Sequence, residues 1–236
     1  MACFMENTPK LASVLEVSST SFAPLFDFDL NAQDVVRLDF TAANAALQRA
    51  ELKDTATFEQ LVQQMLHEWN ATVGVGGFFE NRVIYRRSDH FEGPEEPRSV
   101  HLGVDIWAPA HVPVYAPLAG TVHSFQDNHH FGDYGPTIIL QHMLEGIAFY
   151  TLYGHLSRMS LAGLKVGKPF AAGQPLASLG PYPENGDWPP HLHFQVMTDM
   201  LGKKGDFPGV CAPSEEAFYQ QVCVNPNLVL GCEKLR

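Results

Sequence analysis

Short runs of β-branched and aromatic residues, separated by glycine and proline, dominate the chain from Gly74 to about residue 200. The runs are RVIYR, HVPVYAP, GTVHSF, PTIILQHM, IAFYTLYG and KPFAAGQPLASLG. Runs at such regular short spacing are typical of antiparallel strands, and no ten-residue helical pattern lies between them to connect parallel strands. The sequence therefore predicts a mainly β fold, an antiparallel β-sandwich or partly closed barrel.

The flanks of this stretch have different patterns, so we predict three regions. Residues 1–73 form an N-terminal α/β extension, residues 74–200 the β core, and residues 201–236 a short tail packed on the core. In the extension, Phe26, Phe28 and Leu30 alternate with acidic residues, which predicts a short strand.

A helix near 57–69 is predicted from apolar residues spaced as on one helical face. Thr57 followed by Gln60 resembles a capping-box start. We expect this helix to cover the sheet. The apolar residues are Phe58, Leu61, Val62, Met65, Leu66 and Trp69.

Acidic residues outnumber basic ones by 26 to 15, which gives a formal charge of -11. Such a surface repels phosphate backbones and anionic lipid, so neither nucleic acid nor a membrane is expected as a partner. The sequence has no apolar stretch near the roughly 20 residues of a spanning helix and no secretory pattern at its start. The expected location is the cytoplasm, where the four cysteines, without CxxC spacing, would be reduced thiols. The oligomeric state is left open.

His101 and Asp105 stand four residues apart in HLGVD. On a straight strand their side chains would lie about 13 Å apart, too far for two ligands that each lie about 2 Å from one metal ion. The chain must therefore bend between them, and we expect the bend at Gly103, which has no side chain to restrict the backbone.

His191 and His193 stand two residues apart in HLHF, and His155 follows the apolar run that ends in YGH. Because side chains alternate along a strand, both imidazoles of HLHF point to one side, with Cα atoms about 6.6 Å apart. Two histidines and one carboxylate match catalytic zinc, which has three protein ligands and a fourth position for water. Two further histidines nearby would then transfer protons.

The motifs HLGVD, YGHLS and HLHF, in that order, carry a family resemblance. Together with the run AHVPVYAPLAGTV and the stretch from Lys165 to Gly180, they resemble the lysostaphin-type, LytM-like zinc endopeptidases. The resemblance covers about residues 74–200. It implies an antiparallel β core, a site in a groove across it, and one Zn²⁺ ion as cofactor.

The resemblance also implies roles for five residues. His101, Asp105 and His193 would hold the metal, while His155 and His191 would orient or deprotonate the attacking water and stabilise the tetrahedral intermediate. The implied activity is zinc-dependent hydrolysis of an amide or peptide bond, with a peptide or small amide as substrate.

Further stretches resemble a more particular group, the LytM-like domain of some large intracellular proteins. Those proteins also carry a kinase-like phosphotransferase domain and a pyridoxal-phosphate aminotransferase domain. This similarity extends beyond the core into both flanks, and the sequence leaves open whether the chain acts with separate partners of those kinds. The stretches are GVGGFFENRVIYRRSDHF, TVHSFQDN, GDYGPTIIL, ENGDWPPHLHFQ and GDFPGV.

The loop before HLHF departs from the wall-cleaving members of the family, which have small residues there and an acidic residue after the motif. This chain has ENGDWPP before it and Gln195 after it. Trp188 and the two prolines are expected to narrow or reshape the groove, and with no secretory signal a cell wall is not the expected substrate. Trp188 and Tyr153 are candidates for contacting the substrate, with core packing as the alternative for both.

Two other functions match parts of this pattern. A non-catalytic module of the same fold would keep the zinc and bind a peptide, amine or metabolite, but the presence of all five site residues favours the enzyme. A cupin-type non-haem iron dioxygenase also uses an HxH pair on a β-barrel. In cupins the pair comes first and a glutamate follows shortly, whereas here the pair comes last and FQVMT follows it.

Overall fold

The computed structural model describes residues 4–93 and 95–236. Over these residues the α-helices are α1 Phe4–Ser18, α2 Ala45–Arg49, α3 Thr55–Glu68, α4 Glu216–Tyr219 and α5 Asn227–Leu230. The strands are β1 Val35–Arg37, β2 Val73–Gly76, β3 Val100–His101, β4 Val104–Trp107, β5 Pro113–Tyr115, β6 Gly120–Asn128, β7 Gly135–Leu144, β8 Ile147–Gly154, β9 Pro169–Phe170, β10 Pro175–Ser178, β11 His191–Met197, β12 Val210–Cys211 and β13 Cys223–Val224.

One nine-stranded mixed sheet dominates the fold, which confirms the prediction of a mainly β protein. Its strand order is β1-β2-β4-β11-β8-β7-β6-β9, and β13 pairs with β11. The β1–β2 pair is parallel, whereas the β2–β4, β4–β11, β11–β8, β8–β7 and β7–β6 pairs are antiparallel. Two small antiparallel pairs, β5–β10 and β3–β12, lie apart from this sheet. The predicted boundaries at residues 73 and 200 stay predictions.

Two strands predicted from local pattern are absent. Residues 25–28 form bends instead of a strand, and the Phe26 and Phe28 rings stack with centroids 4.7 Å apart. RVIYR contributes to a 3₁₀ turn at Ile84–Arg87. This turn lets the sequence neighbours Ile84 and Tyr85 both enter one apolar cluster.

Helix α3 begins two residues before its predicted start because Asp54, not Thr57, is its N-cap. The Asp54 carboxylate accepts a hydrogen bond from the Thr57 amide at 2.7 Å. Its inward residues Phe58, Val62 and Leu66 join the cluster that contains Trp107 of β4, so the helix covers the sheet as expected.

Alternation along the central strands separates the main apolar core from the opposite face of the sheet. Leu192, Phe194 and Val196 of β11 enter the largest apolar cluster, as do Val104 and Ile106 of β4. The residues between them, namely His191, His193 and Gln195 of β11 and Asp105 and Trp107 of β4, therefore belong to the other face. No helix among residues 4–93 and 95–236 is long and apolar enough to cross a bilayer.

Candidate metal centre and adjoining cavity

The sheet register sets Asp105 and His193 side by side. In the ladders, Asp105 of β4 pairs with Gly76 of β2 on one side and with His193 of β11 on the other, and His193 pairs in turn with Gly154 of β8. Directly opposed residues of an antiparallel pair have Cβ atoms about 4.5–5.5 Å apart. The carboxylate and the imidazole are thus brought together by register, with a glycine on each side of them.

The bend predicted at Gly103 brings His101 to the same place. Strand β3 ends at His101 and β4 begins at Val104, so the chain breaks between them. A Cβ atom added at Gly103 would lie 2.7 Å from the His193 ring and 2.8 Å from the Phe194 carbonyl oxygen. Glycine is therefore required here for the close approach of the His193 ring and the Phe194 carbonyl.

Three ligand atoms converge at this point. His101 Nε2 lies 2.9 Å from His193 Nδ1, and each of these nitrogens lies 3.2 Å from Asp105 Oδ1. Neighbouring ligands of a tetrahedral ion with bonds of 2.0–2.1 Å would be about 3.3 Å apart. The triangle therefore has the size that a zinc ion needs. Within the described chain, no fourth His, Cys, Asp or Glu joins this group.

Hydrogen bonds on the far side of each ring leave the facing nitrogens without protons. The Gly77 carbonyl, which can only accept, lies 3.0 Å from His101 Nδ1, so Nδ1 carries the proton and Nε2 is bare. His193 Nε2 donates to Gln195 Oε1 at 3.0 Å, because the Gln195 amide nitrogen is committed to the Pro208 carbonyl at 3.2 Å. Two imidazole lone pairs and a carboxylate oxygen thus face one another, and a cation relieves their repulsion. The donor set fits a divalent metal.

Asp105 is held from behind by a buried ion-pair network. Arg82 Nη1 contacts Asp105 Oδ2, and Arg82 Nε pairs with Glu80 Oε2 at 2.7 Å. Although burial opposes ionisation, His101 and Arg82 hold the pKa of Asp105 well below its usual range. Burial, followed by the positive charge of Arg82, lowers the pKa of His101 to about 3. Asp105 is therefore a carboxylate and His101 a neutral imidazole, the protonation states that bind metal.

His155 and His191 lie together beside this triangle. Their ring centroids are 4.1 Å apart, and the His155 centroid is 6.4 Å from that of His193. His155 follows the last residue of β8 and has a φ of 61°, in the left-handed region. Its side chain therefore does not follow the alternation of faces along the strand. The Nδ1–H groups donate to the carbonyls of Asn185, at 2.8 Å, and Pro189, at 2.7 Å, which leaves both Nε2 atoms as acceptors. Burial lowers the pKa of His191 to about 4 and, with help from His191, that of His155 well below its usual range.

The two aromatic candidates lie in different places. Trp188 lines the cavity beside these histidines, with its ring centroid 5.9 Å from those of His155 and His191. Tyr153 does not line the site, and that prediction is corrected. It is fully buried in the main core, contacts Phe194, and accepts a hydrogen bond from Thr151 Oγ1 at 3.0 Å.

Three side chains that shape the site carried no functional signal in the sequence. Arg82 and Tyr134 lie outside the HLGVD, YGHLS and HLHF motifs. Trp107 lies in the run HLGVDIW, where it resembles any other apolar strand residue. The structure stacks Trp107 on His191, with centroids 4.0 Å apart and planes at 18°. Tyr134 has its ring centroid 5.0 Å from that of His193. The stacking of Trp107 on His191 follows from the pairing of these two residues across β4 and β11.

A cavity of about 150 Å³ adjoins the triangle. Asp105 and His193 form part of its floor together with His155 and His191. Aromatic side chains form much of the remaining lining, namely Tyr85, Phe91, Trp107, Tyr134 and Trp188. The metal-ligand triangle, the bare Nε2 atoms of His155 and His191, and the cavity therefore lie together.

Comparisons with known proteins agree with the motif positions. Residues 99–205, just under half of the chain, match the model of Peptidase family M23. No curated protein sequence matches the chain. Similar solved structures include a zinc-containing peptidase from Vibrio cholerae, with 28% identity, 44% of this chain and 29% of that chain covered, and a TM-score of 0.33. The catalytic domain of the antimicrobial peptidase lysostaphin from Staphylococcus simulans has 26% identity, coverages of 52% and 80%, and a TM-score of 0.35.

A variant of the catalytic domain of the prophage-encoded M23 protein EnpA from Enterococcus faecalis has 24% identity, coverages of 59% and 86%, and a TM-score of 0.37. The chain spans less than a third of the length of the Vibrio cholerae peptidase. The closer resemblance to a domain fused with phosphotransferase and aminotransferase domains stays a prediction.

Proposed function

We propose that this chain, which carries a Peptidase family M23 domain over residues 99–205, is a zinc-dependent hydrolase that cleaves an amide or peptide bond. The observation that supports this most is the convergence of His101, Asp105 and His193 on one point, with both imidazole nitrogens unprotonated. His155 and His191 lie beside that point with free acceptor nitrogens.

His101 Nε2, Asp105 Oδ1 and His193 Nδ1 would hold one zinc ion. When bound, zinc polarises a carbonyl group and lowers the pKa of a coordinated water towards about 7. Arg82 keeps Asp105 ionised and aligned, and Gly77 and Gln195 fix the tautomers of the two histidines.

His191 is the favoured general base of the pair. Its Nε2 is free to take a proton from the attacking water, and Trp107 stacked on its ring stabilises the positive charge that results. His191 then returns the proton to the leaving amine. His155, 4.1 Å away between ring centroids, is placed to orient the attacking water through its bare Nε2.

The alternative is a module of the same fold that keeps zinc and binds a peptide, amine or metabolite without turnover. The two functions share the metal ligands and differ in what His155 and His191 do. The pair of bare Nε2 atoms supports the enzyme, since they can accept the proton that hydrolysis must move from water to the leaving amine. We further propose that the substrate is not a cell wall, which is supported by Trp188 at the cavity, in a loop that has Pro189 and Pro190 instead of small residues.

The test combines metal analysis with a hydrolysis screen on amides and short peptides. We expect one zinc per chain in the unmodified protein and in His155→Ala and His191→Ala, but not in His101→Ala. The two variants that keep zinc should lose activity on the order of a hundredfold or more. Stoichiometric zinc with no substrate that separates wild type from His191→Ala would favour the binding module. Equal zinc in His101→Ala and His155→Ala would contradict the ligand assignment.

A further inference from the structure

Two segments outside the family-matched part of the chain line the cavity. One comprises residues 84–91 and supplies Tyr85, His90 and Phe91; the other comprises residues 206–210 and supplies Phe207 and Pro208. The M23 match ends at residues 99 and 205. These two segments, which we call the cavity wall, thus lie outside the matched residues.

The first segment of the cavity wall is held to the core at several points. Ser88 Oγ donates to the Phe131 carbonyl at 2.7 Å, and Arg87 Nη1 donates to the Asp187 carbonyl at 2.9 Å. The Arg98 amide donates to the Phe91 carbonyl at 2.9 Å. Each bond joins the segment to a different part of the chain, so the segment is a fixed boundary.

The second segment is tied to the metal-ligand region itself. The Leu102 amide donates to the Gly209 carbonyl at 2.8 Å, and Val210 of β12 pairs with His101 of β3. Gln195, which orients His193, also bonds to the Pro208 carbonyl. Removing this segment would therefore disturb the ligands.

An apolar cluster joins the two segments into one surface. Tyr85, Phe91, Trp188 and Val210 belong to the same buried cluster, with ring centroids 4.7 Å apart for Tyr85 and Phe91 and 6.2 Å apart for Phe91 and Trp188. A polypeptide lying across the sheet in an extended conformation needs an open groove on both sides of the scissile bond. Here the packed rings of Tyr85, Phe91 and Trp188 line the cavity beside the ligands.

The cavity is small, and its lining carries both positively and negatively charged side chains. The cavity of about 150 Å³ is below the range of roughly 300–1,000 Å³ that holds drug-sized ligands. Arg98 and Lys203 supply cations at the lining, and Asp133 and Asp206 supply carboxylates. Such a lining matches a polar molecule with charged ends better than the middle of a long chain.

We infer that the site takes a compact polar amide, of the size of a dipeptide or an N-acyl amino acid, and excludes internal bonds of extended polypeptides. This inference rests on the proposed zinc hydrolase. The cavity wall is the element that determines it, because its packed rings bound the cavity beside the metal ligands and limit its volume.

The experiment measures binding of two phosphinic peptide analogues to the zinc-loaded full chain by calorimetry. One is a pseudo-dipeptide with a single residue on each side of the phosphinate, and the other is a pseudo-hexapeptide with three on each side. We expect the pseudo-dipeptide to bind at least tenfold more tightly. Hydrolysis of Ala-Ala should likewise exceed hydrolysis of internal bonds in hexa-alanine.

Phe91→Ala opens the cavity wall, and Phe218→Ala is the matched control. Phe218 is 48% exposed and lies outside the cavity lining. Phe91→Ala should bind the pseudo-hexapeptide more tightly, which reduces the preference for the pseudo-dipeptide. Phe218→Ala should keep the preference of the unmodified chain. Equal or tighter binding of the pseudo-hexapeptide by the unmodified chain would overturn the inference and leave the hydrolase intact. If neither analogue binds and no amide is cleaved by the zinc-loaded protein, both proposals fail.

Discussion

Gln195 decides which nitrogen of His193 is free for a metal. Its Oε1 accepts the Nε2 proton at 3.0 Å, while its amide nitrogen donates to the Pro208 carbonyl and to Cys223 Sγ. Without this acceptor, His193 could carry its proton on Nδ1, the atom that faces Asp105. Residues that orient a ligand in this way are worth about 10–100-fold in metal affinity.

The prediction is that Gln195→Leu weakens zinc binding by about 10–100-fold, because the productive tautomer is no longer enforced. Competition with a chelator of known affinity measures the change. Thr198→Val is the control, since Thr198 follows the same strand and bonds to the Val222 carbonyl at 3.1 Å, away from the site. Unchanged zinc affinity in Gln195→Leu would contradict the tautomer assignment.

The motif residues could be predicted from sequence, but their neighbours could not. His101, Asp105 and His193 converge as the motif spacing and the family resemblance implied. Tyr153 was misplaced for a local reason. It stands two residues before His155 and would share its face on a continuous strand, but the positive φ of His155 breaks that alternation. Arg82 reaches Asp105 only through tertiary structure.

At the scale of elements, the site depends on the pairing of β4 with β11. His193 opposes Asp105, and His191 opposes Trp107. The HLH spacing predicted strand β11, and HLGVD predicted a bend. The pairing partner of β11 was beyond local pattern, because it follows from which strands are neighbours in the sheet. The false strands at Phe26 and RVIYR have the same origin, since burial in tertiary clusters outweighed local alternation.

Gly103→Ala should weaken zinc binding and also destabilise the fold, by about 1–3 kcal/mol, since the added Cβ overpacks against the His193 ring and the Phe194 carbonyl. Gly120→Ala is the matched control. Its Cβ would meet the His142 ring at 2.7 Å and the Gln141 carbonyl at 2.9 Å, a comparable clash remote from the ligands.

Thermal unfolding and zinc titration of both glycine variants separate the two effects. Both should unfold at lower temperature than the unmodified chain, whereas only Gly103→Ala should show reduced zinc affinity in its folded state. Equal zinc affinity in the two variants would mean that the seating of His193 does not depend on Gly103.

For the molecule as a whole, the three ligand atoms of the metal centre repel one another until a cation binds between them. Two bare imidazole nitrogens and a carboxylate lie within 3.2 Å of one another in a buried place. Binding of a cation to the folded state alone contributes about 2.7 kcal/mol at a free concentration one hundred times Kd.

Zinc should therefore raise the melting temperature of the chain, and a chelator should lower it, by about 5–10 °C at that saturation. Differential scanning calorimetry with and without zinc measures the shift. His101→Ala, which lacks one ligand, should show little response at the same zinc concentration. Identical melting curves for the unmodified chain with zinc and with chelator would contradict a zinc site built into the fold.

The opposition of His193 and Asp105 across β4 and β11 has a structural result apart from catalysis. If β11 slipped by one residue, Leu192 or Phe194 would take the place of His193, and the whole apolar side of the strand would turn out of the core. An ion held by one ligand from each strand forbids that slip. The cation would thus act as a cross-link between two strands that no covalent bond connects, and demetallation would loosen the centre of the sheet before its edges.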